Sequence, residues 1–261
     1  MFKKILVFLT IVLMIGSVRV YSADNNDSLY IKGKTMLSKA VNSWDIQKML
    51  EARSYFERVM SADSRKWLAK YYIGLSDNRI IIFFMSKNNK EMALKYIDDA
   101  ITNLEESIKL NDSFAESYAL LSSVMGKKIG IKPMLGMSLG MKSGMLMSKA
   151  MDIEPDNPRV RLIAGQNAYY TPRMFGGGKK KAVKELLIAA ACFDSVKTED
   201  PAYPQWGHEE VYAWLGLINA DLNNFEKAES FYNKALEIKP DFGWVKYFLI
   251  PELEKKRNKS K

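Results

Sequence analysis

The strongest constraint on the fold of this chain is a ten-residue spacing that recurs along it. In each copy, a residue that ends one helix is followed ten positions later by a small residue in the next: Ser64 and Gly74, Asp112 and Ser122, Pro155 and Gly165. A constant spacing of this kind indicates an internal repeat. It predicts similar structural units that pack side by side.

Each unit also contains a helix with a fixed pattern of small and apolar residues. In the last unit Ala228, Tyr232 and Ala235 are four and three residues apart, so they share one helix face. The same pattern recurs upstream in Ala52, Phe56 and Val59; Ala100, Leu104 and Ser107; Ser143, Met147 and Ala150; and Ala182, Leu186 and Ala189. From the second unit onward, the helix before this one carries a small residue, which is Gly216 in the last unit. A small residue at that position lets the two helices of the unit approach closely. The pattern predicts five helical hairpins.

These residues resemble the tetratricopeptide repeat, a two-helix unit of about 34 residues. The resemblance extends over roughly residues 28 to 241. It implies an all-α, right-handed α-solenoid of about five hairpins with a C-terminal capping helix. The Phe-Gly-Gly loop at Phe175 is also similar to that of the exported T-component of tripartite carboxylate transporters.

The hairpins differ in length between their two helices. Twelve residues separate Gly216 from Ala228, whereas twenty-six separate Gly74 from Ala100. Extra residues are therefore expected at the hairpin tips, along one edge of the array. The second hairpin is expected to have the longest helices.

Two local patterns mark predicted helix starts. Asn157 before Pro158 predicts an N-cap followed by proline in the first helical turn. Ser113 with Glu116 three residues later predicts a capping box.

The N-terminus has the pattern of a secretory signal peptide. Lys3 and Lys4 precede an uncharged, mostly apolar run over residues 5–18, and small residues follow at Ser22 and Ala23. The run is shorter than the ~20 residues of a membrane-spanning helix. We expect residues 1–23 to be a cleaved signal peptide. The alternative is an uncleaved anchor.

The remaining domain boundaries and the location follow from this interpretation. We expect a solenoid domain over residues 24–254 and a basic, disordered tail over residues 255–261. Cys192 is the single cysteine, so no lipid-anchor cysteine stands at the cleavage point. The sequence therefore predicts a periplasmic or secreted protein without a transmembrane domain after cleavage.

The first helices of stacked hairpins usually line a concave surface, which is expected to bind the partner. Aromatic, amide and cationic groups on that surface suit a protein or peptide segment. The candidate partner-binding residues are Tyr71, Leu75, Asn78, Arg79, Ser123, Lys127, Gln166, Tyr169 and Tyr170, with Arg173 and Phe175 at the rim. The sequence thus predicts a protein-binding or peptide-binding scaffold.

Two other functions remain open. A small-molecule carrier accessory to a transporter would enclose an apolar ligand between the glycine loop and a methionine-rich helix. In that helix Met137, Met141 and Met145 are four residues apart, and thioethers bind Cu(I), which makes copper binding a minor third hypothesis. Methionine stripes also serve as adaptable core or interaction surface.

The composition does not favour catalysis or nucleic-acid binding. His208 is the only histidine, so no Ser/His/Asp arrangement or histidine-rich metal cluster can be built around it. We expect a non-enzymatic protein with no cofactor and no metal. The net charge of +9 is partly carried by the tail, and export argues against a nucleic-acid partner.

The stretch from Gly176 to Gly178, followed by three lysines, allows two interpretations. It lacks the order of glycine, lysine and hydroxyl residues that a phosphate-binding loop requires. It is expected either to bind an anion beside the lysines or to act only as a connector between two helices.

Overall fold

A computed structural model describes residues 27–61, 64–196 and 200–259 of the 261-residue chain. Within these ranges the regular structure consists of eleven α-helices with short 3₁₀ and π segments, and no β-strand occurs. The first helix, α1, includes residues 27–43. The others are α2 (Ile46–Met60), α3 (Lys66–Ser86), α4 (Lys90–Leu110), α5 (Ala115–Ile131), α6 (Gly136–Ile153), α7 (Pro158–Tyr170), α8 (Lys179–Ser195), α9 (His208–Ala220), α10 (Phe225–Ile238) and α11 (Ile250–Lys259). The predicted signal peptide, residues 1–23, lies outside the described residues.

The helices pack in consecutive pairs, α1 with α2 through α9 with α10, and each pair packs against the next. A π-helical turn at Val245–Leu249 leads into α11, which covers the last hairpin. The prediction of an all-α solenoid of five hairpins with a capping helix is confirmed. In the second hairpin α3 and α4 have 21 residues each, against 13 and 14 in α9 and α10, so its predicted extension is also confirmed.

Small residues lie where the two helices of each hairpin cross. A methyl group on Gly74 would lie 2.6 Å from Cγ of Leu104, and one on Gly165 would lie 2.6 Å from Cγ of Leu186. The five crossings pair Gly33 with Phe56, Gly74 with Leu104, Ser122 with Ser143, Gly165 with Leu186, and Gly216 with Tyr232. The predicted register is therefore correct in four hairpins. The sequence pattern indicates no crossing residue in the first helix of the first hairpin, where the structure places Gly33 against Phe56.

One of the two predicted helix starts is wrong. Asn157 caps α7 by accepting hydrogen bonds from the backbone amides of Arg159 and Val160, as predicted. Ser113 does not cap α5, because its hydroxyl donates to Asn111 instead. Glu116, the second member of the predicted capping box, points into the protein and bonds to Nε of Arg159 at 2.6 Å. A buried ion pair competes with the capping box for the same carboxylate.

The predicted disordered tail is also wrong for residues 255–259, which lie in α11. Leu253 is buried and anchors this helix against the last hairpin. Two of the tail cations then reach acids in the last hairpin. Lys256 bonds to Asp221, and Arg257 bonds to Glu229 at 2.8 Å. Residues 260 and 261 lie outside the described part of the chain.

The solenoid curls until its last segment meets its first hairpin. Asn42, near the end of α1, accepts a hydrogen bond from the backbone amide of Gly243 at 2.6 Å and donates to Asp241 at 3.1 Å. The backbone carbonyl of Asn42 occupies the place where a side chain at position 243 would begin, so only glycine permits this approach. The ring of Trp44 lies 6.5 Å from that of Phe248. The array of hairpins is therefore closed by contact between its ends.

Candidate partner-binding surface

The connection between α8 and α9 crosses the concave face that the first helices form. Within residues 200–207, the carbonyl of Ala202 accepts a hydrogen bond from the hydroxyl of Tyr72 at 2.7 Å. Lys34 donates to the carbonyl of Tyr203 at 2.7 Å, and the indole of Trp206 donates to the hydroxyl of Tyr71 at 3.0 Å. The chain thus fills with its own backbone the half of the concave face nearest the N-terminal ends of the first helices.

This segment corrects part of the predicted site. Tyr71, Leu75, Asn78 and Ser123 are buried, so the expectation that they line an open groove is wrong for these four residues. Sequence periodicity places them on the inner side of α3 and α5, and they lie there. Periodicity does not predict that residues 200–207 cross the same inner side of α3 and α5.

Arg79 and Glu210 form an ion pair across the concave face, between the second and fifth hairpins. The guanidinium donates to both carboxylate oxygens, at 2.5 and 3.1 Å, and both side chains are largely buried. The guanidinium carbon also lies 5.0 Å from the ring centroid of Trp206. Arg79 is therefore held in the fold and is not free to contact a partner.

Lys127 lies next to this pair on α5. Its ammonium group donates to the hydroxyl of Ser123 at 2.8 Å. Burial, together with the nearby positive charge of Arg79, lowers the pKa of Lys127 to about 7, although Glu210 acts in the opposite direction. This lysine titrates near neutral pH at the base of the remaining open half of the concave face.

A row of aromatic side chains forms one wall of that open half. The ring of Trp214 on α9 lies 5.7 Å from Tyr169 and 5.9 Å from Tyr170 on α7, and 5.5 Å from Trp244 beyond α10. Tyr170 is exposed, and Trp214 and Trp244 are half-buried. We call these four residues, Tyr169, Tyr170, Trp214 and Trp244, the aromatic wall.

Tyr169 is fixed within the wall by a hydrogen bond. Its hydroxyl donates to Asp221 at 2.5 Å, and burial together with this bond raises the pKa of Tyr169. Asp221 also pairs with Lys256 of α11. The wall therefore joins the fourth hairpin, the fifth hairpin and the cap in one continuous surface.

The other predicted residues lie at different depths. Gln166, one turn before Tyr169 and Tyr170, is half-buried on the same side of α7. Arg173 and Phe175 are exposed in the turn between α7 and α8, so they lie at the hairpin tip, beyond the concave face.

The glycine loop is a connector. The amides of Gly176, Gly177 and Gly178 donate to the carbonyls of Arg173, Pro172 and Ala168, at 3.0, 3.2 and 2.7 Å. Phosphate-binding loops present free backbone amides to the anion, and these amides are already used. Gly176 and Gly178 have φ of 79° and 110°, which other residues adopt at a cost.

Sequence reasoning missed Trp206, Glu210, Trp214 and Trp244 as members of this face. Glu210 and Trp214 are four residues apart, so helical periodicity places them on one side of α9. The periodicity of α9, a first helix of its hairpin, thus indicates that both face the concave side. Trp206 lies in the connection before α9, where no periodicity indicates the direction of a side chain. Trp244 lies in the first helical residues before the π-helical turn that leads into α11.

The described residues contain no group of three or more His, Cys, Asp or Glu side chains that could hold a metal ion. His208, the only histidine in the chain, stacks on Phe193 with ring centroids 5.1 Å apart. Over the same residues, none of the helices combines the length and apolar character needed to cross a bilayer.

Comparison with known proteins agrees with this architecture. The family model described as tetratricopeptide repeat matches residues 209–242, which include all of α10 and nearly all of α9. The chain carries a tetratricopeptide repeat and folds as a tetratricopeptide-repeat solenoid. No curated protein matches the chain significantly.

Two solved structures show how far the solenoid extends beyond the matched repeat. The HusA haemophore from Porphyromonas gingivalis is 22% identical, with a TM-score of 0.62 over 76% of this chain and 93% of that one. A thermophilic tetratricopeptide-repeat protein of Thermus thermophilus is 16% identical, with a TM-score of 0.56 over 86% of this chain and 98% of that one. At these identities the likeness concerns the fold. Tetratricopeptide-repeat solenoids serve as scaffolds that bind other proteins.

Proposed function

We propose that this protein is an exported, non-enzymatic scaffold that binds a protein or peptide segment at the aromatic wall. The observation that supports the proposal is the row of Tyr170, Tyr169, Trp214 and Trp244 along the part of the concave face that residues 200–207 leave open. Tyrosine and tryptophan dominate the energetics of protein interfaces because each contributes a large, rigid contact area.

A polar group beside the wall would help to select the partner. Gln166 offers an amide next to Tyr169 and Tyr170. An extended segment with aromatic or aliphatic side chains would stack on the wall while one of its backbone carbonyls accepts a hydrogen bond from this amide. Residues 200–207 use the same chemistry, since Lys34 and Tyr72 donate to their carbonyls.

Site-specific photocrosslinking tests the proposal. A benzophenone amino acid at position 170 should form adducts with one defined partner, identified by mass spectrometry. The same group at position 247 is the control, because Tyr247 is equally exposed but lies outside the wall. With the purified partner, Tyr170→Ala should raise the dissociation constant at least about tenfold, whereas Tyr247→Ala should leave it unchanged. Equal effects at both positions would contradict this site.

The same protein can be tested for a small ligand. HusA is a haemophore, so a haemin titration followed by absorbance is a direct measurement, with native mass spectrometry of the purified chain beside it. We expect no retained small molecule and no saturable haemin binding that depends on Tyr170. Saturable binding lost in Tyr170→Ala would replace the scaffold with a carrier.

Export is a separate part of the proposal and has its own test. The basic, apolar and small-residue segments of residues 1–23 support it. Expression with fractionation and intact-mass measurement should give a mature chain that begins at Asp24. A full-length protein retained in the cytoplasm would contradict export without affecting the binding site.

A further inference from the structure

Exposed apolar side chains are concentrated at two neighbouring hairpin tips. At the tip between α5 and α6, Met134 is 97% exposed and Met137 is 89% exposed. At the tip between α7 and α8, Met174 is 83% exposed and Phe175 is 72% exposed. We call the two turns, residues 132–137 and 171–181, the tip surface. The hairpins are consecutive and α5 packs on α7, so both turns lie at the same edge of the solenoid.

The tip surface is also basic. The sequence has no acidic residue between Glu116 and Asp152, and none between Asp156 and Glu185. Lys132, Arg173, Lys180 and Lys181 are exposed there, and none of them forms an ion pair with a carboxylate in the described part of the chain.

The opposite edge of the solenoid is mixed in charge. The connections between consecutive hairpins and before the cap carry the acids Asp112, Glu154, Asp156 and Asp241 together with the cations Arg65 and Lys239. A negatively charged surface would therefore attract the tip surface more strongly than the opposite edge, which favours one docking orientation.

We propose that the tip surface docks on an anionic lipid bilayer, a role separate from the binding site at the aromatic wall. Apolar side chains beside unpaired cations are the combination that interfacial membrane segments use. The apolar groups enter the acyl boundary while the cations contact lipid phosphates. The apolar stripe continues along α6 through Met141 and Met145, which are each 68% exposed.

The shape of the tip surface favours a lipid over a protein. The four apolar side chains project from the hairpin tips and are 72–97% exposed, whereas the centre of a protein interface is usually a packed, desolvated pocket. A second copy of this chain is disfavoured as the occupant, because a two-fold contact would bring like charges of the tip surface together.

Vesicle flotation of the full chain tests the proposal. We expect binding to vesicles of phosphatidylglycerol and phosphatidylcholine, at least about tenfold stronger than to phosphatidylcholine alone and weakened by roughly 0.5 M salt. Met134→Ser combined with Phe175→Ser should reduce this binding at least about tenfold. Leu110→Ser with Leu187→Ser is the matched control, since both leucines are half-exposed away from the tips, and it should bind as the unmodified chain does.

A local probe separates docking at the tips from any contribution of residues 5–18. In a Cys192→Ala background, an environment-sensitive fluorophore on Met174→Cys should brighten several-fold on anionic vesicles, and one on Leu187→Cys should not. Folding of each variant is checked by circular dichroism. Equal brightening at both positions, or none at either, would overturn the proposal. If the unmodified chain bound no vesicles, and the Met134→Ser, Phe175→Ser variant lost capture of a purified protein partner, the tip surface would be assigned to a protein instead.

Discussion

Arg79 of α3 and Glu210 of α9 join the second and fifth hairpins across the concave face, with two hydrogen bonds from one guanidinium to one carboxylate. In an open solenoid each hairpin contacts only its neighbours. This pair instead links hairpins that are separated by two others, and Trp206 covers it from the connection before α9.

We predict that breaking this pair from either side is costly. Arg79→Met or Glu210→Met should each lower the free energy of unfolding by about 3 kcal/mol, because the remaining buried charge loses its partner. Replacing both residues by Met should cost less than the sum of the two single changes. Denaturant unfolding followed by circular dichroism measures all three. Lys142→Met, which breaks an exposed pair with Glu105, is the control and should cost under about 1 kcal/mol. Additive costs at Arg79 and Glu210 would contradict the pairing.

A second prediction concerns two helical glycines in different surroundings. Gly216→Ala should lower the free energy of unfolding by about 2 kcal/mol or more, because its methyl group would overlap the ring of Tyr232. Gly140→Ala should raise it by about 0.5–1 kcal/mol, since nothing lies within 4 Å of the added carbon and alanine favours the helix. Thermal unfolding of the two variants compares them directly. Stabilisation by Gly216→Ala, as expected for Gly140→Ala, would show that the crossing in the fifth hairpin is not tightly packed.

A third prediction follows from the lowered pKa of Lys127, which is about 7 in the folded chain against about 10.4 when unfolded. Between these two pH values the unfolded chain binds a proton that the folded chain does not, so stability rises with pH in this window. Lys127→Met should remove that rise. Between about pH 7 and 10 we expect the free energy of unfolding of the unmodified chain to increase by on the order of 2 kcal/mol relative to the variant. If the free energy of unfolding changed with pH in the same way in the unmodified chain and in Lys127→Met, the burial of this amine would be contradicted.

A fourth prediction addresses the segment that fills the concave face. Tyr72→Phe removes the hydroxyl that donates to Ala202 and should cost about 1–2 kcal/mol, because a buried carbonyl loses its donor. Backbone amides over residues 200–207 should then exchange hydrogen faster. Tyr118→Phe is the matched control, since its hydroxyl also donates to a backbone carbonyl, that of Asp112, but remote from this segment. Faster exchange in both variants would argue against specific docking.

The sequence predicts the hairpins and their crossings well because both depend on local periodicity. Ala228, Tyr232 and Ala235 repeat at helical spacing, and the residues that face them recur at a fixed distance along the chain. Gly74, Gly165 and Gly216 accordingly lie at the crossings. The hairpins and their crossings therefore depend on residues that lie within one repeat of about 34 residues.

Contacts between distant residues determine the rest, and periodicity carries no information about them. Lys34 meets Tyr203, and Asn42 meets Gly243, across most of the chain. Such contacts decide which concave residues stay open, and the predicted residues Tyr71, Leu75, Asn78 and Ser123 are buried. Glu116 is a further example, because a capping carboxylate and a buried partner of Arg159 look alike in sequence.

The contact of Asn42 with Gly243 limits how the array of hairpins can be lengthened. A linear array of repeats tolerates duplication or deletion of a unit, since the free end simply moves. Here the ends touch, and insertion of one more hairpin would displace Gly243 from Asn42 by the width of a helix pair. Length can instead vary at the hairpin tips, as it does where α3 and α4 extend beyond the length of α9 and α10, without altering the number of units.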